Sequence, residues 1–106
     1  MSFHSYQHYP NATDITRVRF NQLKAMLPGK SLMMSEGGLA AGTETITPAI
    51  RNAQAAYLTL MMSDCKVDGE IACVWFRFPL IAYYHTELVD ADGTSNAIYA
   101  AFMGVH

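Results

Sequence analysis

Arg77, Tyr83, His85 and Glu87 occupy odd positions in the stretch 71–89, IACVWFRFPLIAYYHTELV. If that stretch forms neighbouring strands, period-2 geometry sets all four on one sheet face, interleaved with Trp75 and joined by Tyr99. Histidine titrates near neutrality, a glutamate can orient it, and arginine grips anions with a planar fork of donors. Such groups suit general acid/base work or a pocket for a small anionic ligand. The plainer alternative is a solvated sheet surface carrying a cross-strand Arg77–Glu87 pair. The candidate ligand- or partner-binding residues are therefore Trp75, Arg77, Tyr83, His85, Glu87 and Tyr99, and no catalytic residue is assigned with them.

Other motifs are weaker. Gly29-Lys30-Ser31 ends like a phosphate-binding loop, but Lys24 stands where the first glycine is needed. Gly37, Gly38 and Gly42 do not have the spacing of a dinucleotide fingerprint. His4 and His8 would share one side of a helix and could hold a metal there. Their Ser, Tyr, Gln and Pro neighbours disfavour a helix, and no nearby carboxylate or thiol completes a ligand set. Cys65 and Cys73 match neither a metal spacing nor a disulfide framework, so buried free thiols are expected. No metal and no cofactor follow from these residues.

The elements that must position the candidates are two helices and a β-meander. Residues 1–12 read as an irregular arm. Thr13 or Asp14 can cap a helix over 15–27, whose apolar face holds Ile15, Phe20, Leu23, Met26 and Leu27, and Pro28-Gly29 stops it. Residues 30–45 read as a flexible loop, with a short strand at 31–35 and one helical turn at 39–41 as its candidate regular pieces. Thr47-Pro48 opens an alanine-rich second helix running to about residue 62 or 63. Asp68-Gly69 and Asp92-Gly93 then signal tight turns around strands at 70–78 and 80–89. Residues 96–103 are read as a closing strand, with a short helix as the alternative. The fold expected is α+β, a single domain over 1–106, with two main helices packed on a three- to four-stranded antiparallel meander in the order α-α-β-β-β-β. In that arrangement Val74, Phe76, Phe78, Tyr84 and Leu88 face the helices, while Trp75 and Tyr83 lie on the face left open.

Composition narrows the function classes. The chain has 106 residues, 51% hydrophobic and only 15% charged, with a formal net charge of −2. That charge does not suit a general grip on nucleic acid, and low charge content favours self-association. Bases predominate over residues 1–66, and acids over 67–106, where Arg77 is the one base. No apolar run is long enough to cross a membrane, and no basic segment precedes an apolar one at the N-terminus. A cytoplasmic protein is expected, without membrane or nucleic-acid partners. Aromatic and methionine richness with few lysines resembles interface cores. Of the seven methionines, Met26, Met61 and Met103 are expected as core filling. The leading expectation is a non-enzymatic interaction module, such as a small regulator or inhibitor, acting as a homo-oligomer that binds another protein. A binding or sequestering protein for a small anionic ligand comes second, and a small acid/base enzyme using His85 and Glu87 third.

Overall fold

A computed structural model describes residues 1–42, 45–69, 72–75 and 86–104. Its elements are β1 (Ser2–His8), α1 (Ile15–Met26), β2 (Met33–Ala40), α2 (Pro48–Asp68), β3 (Cys73–Trp75) and α3 (Ala97–Gly104). The strands form one three-stranded sheet in the order β1-β2-β3, and both neighbouring pairs are parallel. The antiparallel meander expected from the sequence is thus overturned: strands and helices alternate, β-α-β-α-β, before α3. Parallel neighbours cannot be joined by tight hairpins and need crossovers, which α1 and α2 supply. Both crossovers step the same way across the sheet. Right-handed connections then place both helices on one face, where α1 packs against α2.

β1 forms where an irregular arm was expected. Phe3 and Ser5 point into the helix side, and the Ser5 hydroxyl meets that of Thr16 on α1 at 2.6 Å. β2 forms within the supposed loop, and its register with β1 shifts once, between Phe3 and His4. Gly37 explains the glycine content of β2. A Cβ there would lie 2.7 Å from the Met61 sulfur and 2.9 Å from that of Met34, so only glycine lets α2 sit this close to the strand. Met34, Leu39, Leu58, Met61 and Ile98 are fully buried around that contact. Each such side chain contributes roughly 1.5–3 kcal/mol by leaving water.

The helices start where the sequence says they should. Asp14 caps α1 by accepting the Arg17 N–H at 3.3 Å, and Thr47 caps α2 by accepting the Ile50 N–H at 3.3 Å, with Pro48 next. α1 buries Thr16 and Phe20 but leaves Met26 exposed, and Met103 on α3 is exposed too, so of the three methionines expected inside only Met61 is. α2 runs past residue 63 to Asp68. Gly69 ends it in the left-handed conformation at φ 72°, and so serves as a helix cap where a hairpin turn was expected. Residues 97–104 are helix, not strand, because the Asn96 side chain accepts the Ile98 N–H at 2.9 Å and opens α3. The Asp92-Gly93 turn does form: the Asp90 N–H reaches the Thr94 carbonyl at 2.8 Å and Val89 bridges Ser95.

Cys65 and Cys73 are not free thiols. They form a disulfide with Cα atoms 6.4 Å apart, tying the last turn of α2 to the first residue of β3. Closing a loop of that short span contributes about 2–3 kcal/mol in the chain-entropy picture. Among the described residues, no helix is long and apolar enough to cross a membrane.

Candidate functional site

The two faces of the sheet differ in kind. On the helix side, Ser5, Thr16 and Tyr57 form a buried polar cluster. The Tyr57 hydroxyl lies beside the other two, and burial raises its pKa against the opposing pull of those hydroxyls. On the other face, period-2 geometry aligns His4 and Tyr6 of β1 with their register partners Glu36 and Gly38 of β2. The Tyr6 hydroxyl donates to Glu36 Oε2 at 3.2 Å, and His4 Nε2 stands 3.5 Å from Glu36 Oε1. One strand thus supplies a partner to each oxygen of a carboxylate on the next. The Glu36 side chain is 29% exposed and His4 56%, so the group is held yet reachable.

Gly38 and Trp75 border this cluster. A Cβ on Gly38 would lie 3.3 Å from the Thr86 methyl, 3.6 Å from the Tyr6 ring and 3.8 Å from the Trp75 indole. The indole N–H donates to the Thr86 carbonyl at 3.1 Å, which holds the ring in place. Tyr6 and the buried Trp75 ring therefore lie beside the His4–Glu36 pair.

Of the residues singled out from the sequence, Trp75, Glu87 and Tyr99 are described. Trp75 is buried, with its indole near Gly38, and the neighbouring Val74 is exposed where the sequence reading had it packed against the helices. Glu87 does not face Trp75; it accepts from Arg51 of α2 at 2.8 Å. Tyr99 is exposed on α3. Arg77, Tyr83 and His85 lie outside the described residues, so the expected Arg77–His85–Glu87 constellation is represented by Glu87 alone.

Glu87 belongs to a clamp. Arg51, 8% exposed at its side chain, reaches Glu87 at 2.8 Å and Asp90 at 2.7 Å, and donates to Gln54 at 3.0 Å. Gln54 in turn donates to the Leu39 carbonyl at 2.9 Å, while Asn96 donates to the Glu87 carbonyl at 2.8 Å and to Asp90 at 3.1 Å. This network fastens α2 to the segment that leads into α3. The cleft beside it, lined by Ile46, Thr47, Pro48 and Ala97, has its one cation committed to carboxylates.

Tyr6, Glu36 and Gly38 were not among the expected site residues, and His4 was so only as a metal ligand with His8 on a helix. The signal in the residues is that His4 and Tyr6 are two apart, the strand repeat. Among the described residues no group of three or more His, Cys, Asp or Glu side chains could hold a metal ion. Comparison of the chain with protein-family models, with curated proteins and with solved structures finds no match.

Proposed function

We propose that the helix-free face carries a carboxylate-centred hydrolytic site, with Glu36 as the reacting group and a glycosidic bond as its target. The observation that carries this reading is the grip of Tyr6 and His4 on the two Glu36 oxygens beside Trp75. A carboxylate so oriented can attack an acetal carbon or move a proton at its leaving oxygen. Aromatic rings beside hydroxyl, imidazole and carboxylate groups match a sugar, whose C–H faces stack while its hydroxyls bond.

Glycoside cleavage uses two carboxyl groups. The other described carboxylates are engaged elsewhere: Asp14 caps α1, Asp64 pairs with Arg17, Glu87 and Asp90 hold Arg51, and Asp92 sits in its turn. Among the described residues, Glu36 is the carboxylate of this site. The test is hydrolysis of a panel of nitrophenyl glycosides by the chain and by Glu36→Gln. Loss of turnover with retained folding, and its rescue by azide, supports the reading. Equal turnover in both proteins removes it.

A second reading keeps the interaction module and its homo-oligomer. It is favoured by the exposed apolar residues Leu60, Tyr99 and Met103. Another copy, a different protein or a small anionic ligand would be its partner. Light scattering tests the self-association; a monomer at all concentrations argues against it. The disulfide bears on location: it favours an oxidising compartment over the cytoplasmic one expected from sequence.

A further inference from the structure

Asn11-Ala12-Thr13 is the one place in the chain where a hydroxyl residue stands two positions after an asparagine. Asn21, Asn52 and Asn96 are followed at that distance by Leu23, Gln54 and Ile98. Asparagine, any residue but proline, then serine or threonine is the pattern on which oligosaccharide is transferred to a side-chain amide. A tripeptide so short arises often by chance, so its surroundings decide.

All three residues are exposed, in the connection between β1 and α1, where no strand or helix bond must break for an enzyme to reach them. The Asn11 side chain accepts the Thr13 N–H at 3.1 Å and the Thr13 hydroxyl at 2.6 Å, both at one atom. A backbone N–H can only donate, so that atom is the amide oxygen. Nδ2, the atom that would carry a sugar, is left without a protein partner among the described residues. The connection is held on both sides, since the Tyr9 N–H reaches the Ala40 carbonyl at 2.8 Å and Asp14 caps α1. An independent observation comes from elsewhere in the molecule. The Cys65–Cys73 disulfide favours an oxidising compartment, the setting in which this modification is made.

We infer that Asn11 is an acceptor site for N-linked glycosylation. The donor is an oligosaccharide joined through its anomeric carbon to a lipid diphosphate, brought by a transferase of that compartment. Asn11 Nδ2 bonds to the anomeric carbon, the bond from that carbon to the diphosphate oxygen breaks, and the diphosphate leaves with the electron pair. Nδ2 gives up one proton to a base of the transferase, and no oxidant or reductant is needed. Thr13 is a positioning residue, because its hydroxyl holds the Asn11 oxygen. The product sets a bulky, solubilising group on the surface of a chain with only 15% charged residues. The inference rests on the tripeptide and the disulfide, and it stands apart from the reading of Glu36.

The experiment carries the full chain into the secretory compartment of a cultured animal cell by an added export signal. The recovered protein is treated with an amidase that removes N-linked sugar and is then mapped by peptide mass. The expected result is a slowly migrating form that collapses on treatment, with the amide of Asn11 converted to a carboxyl. Asn11→Gln and Thr13→Ala should lose the slow form completely, while Thr13→Ser, which keeps the hydroxyl, should retain it. All three positions are exposed, and an unchanged far-ultraviolet signal shows that each variant is folded. An unmodified chain recovered with its Cys65–Cys73 bond formed would overturn the site. Sugar that persists in Asn11→Gln, or a Thr13→Ala chain modified as fully as the parent, would overturn it as well.

Discussion

Two groups of charged and polar side chains in this molecule are built from the same kinds of residue and put to different ends. In the Arg51 clamp, one guanidinium is nearly buried and its donors go to Glu87, Asp90 and Gln54. In the His4–Tyr6–Glu36 cluster, Tyr6 and His4 meet the two carboxylate oxygens, and Glu36 is 29% exposed. The clamp joins two segments through a nearly buried cation, whereas the cluster lies within one pair of strands and is partly exposed. A glutamate paired inside a closed network is structural; one oriented on an open face is available for chemistry.

That contrast can be broken most forcefully at Glu36. Glu36→Gln should lower glycoside turnover on the order of 1,000-fold, the scale of a positioned acid or base, with an unchanged urea midpoint. A large stability loss with modest change in turnover would make Glu36 the structural residue and reverse the comparison. Arg51→Ala should do the opposite. Stranding Glu87 and Asp90 costs about 3 kcal/mol in stability, seen as a lower denaturation midpoint, and any turnover should be retained in the fraction that is folded.

Tyrosines on the two sides of the sheet sharpen the same distinction. Tyr6→Phe removes one bond to a carboxylate and should lower kcat/KM by about tenfold while leaving stability nearly unchanged. Tyr57 faces the helices, and its raised pKa ties it to stability instead. Its contribution is fully present below the ordinary tyrosine value of 10.0 and is lost as pH rises through the higher folded value. Urea midpoints should therefore fall on the alkaline side, and Tyr57→Phe should flatten that limb; an identical limb in the variant would remove Tyr57 as its cause.

The smallest effect lies in the turn after the clamp. Hydrogen bonds from Thr94 hold the Asp92 carboxyl below its usual range. That contribution is present above the ordinary value of 3.8 and lost as pH falls through the lowered folded value. Asp92→Asn should slightly soften the acid limb of stability and leave turnover alone.

How much of this could be read from the residues varies by element. The helix starts were legible because Asp14, Thr47 and Pro48 act locally, through one side-chain oxygen or one fixed φ. The sheet was not, because its strands break the usual pattern. β1 buries Ser5 against Thr16, a polar contact that hides the apolar repeat. β2 contains Gly37 because α2 approaches there, a tertiary demand that sequence propensity counts against a strand. Gly69 misled for a sharper reason: positive φ serves a helix cap and a hairpin turn equally, and Asp-Gly does not choose between them. Once the Asp68-Gly69 hairpin is replaced by a cap, the meander loses its first turn and the parallel order follows. The candidate site shared that fate. Glu36 becomes visible as a neighbour of His4 and Tyr6 only when residues 33–40 are recognised as a strand beside β1.

The central claim is that Glu36 is a reactive carboxylate on an open face. Its most direct test is covalent capture: incubate the chain with a panel of cyclitol epoxides, which esterify a nucleophilic carboxylate in a sugar site, and map the adduct by peptide mass. The account predicts one adduct, on the Glu36 peptide, absent from Glu36→Gln and suppressed by a competing saccharide. An unlabelled Glu36, with no adduct or with labelling at Glu87 or another carboxylate, would contradict it.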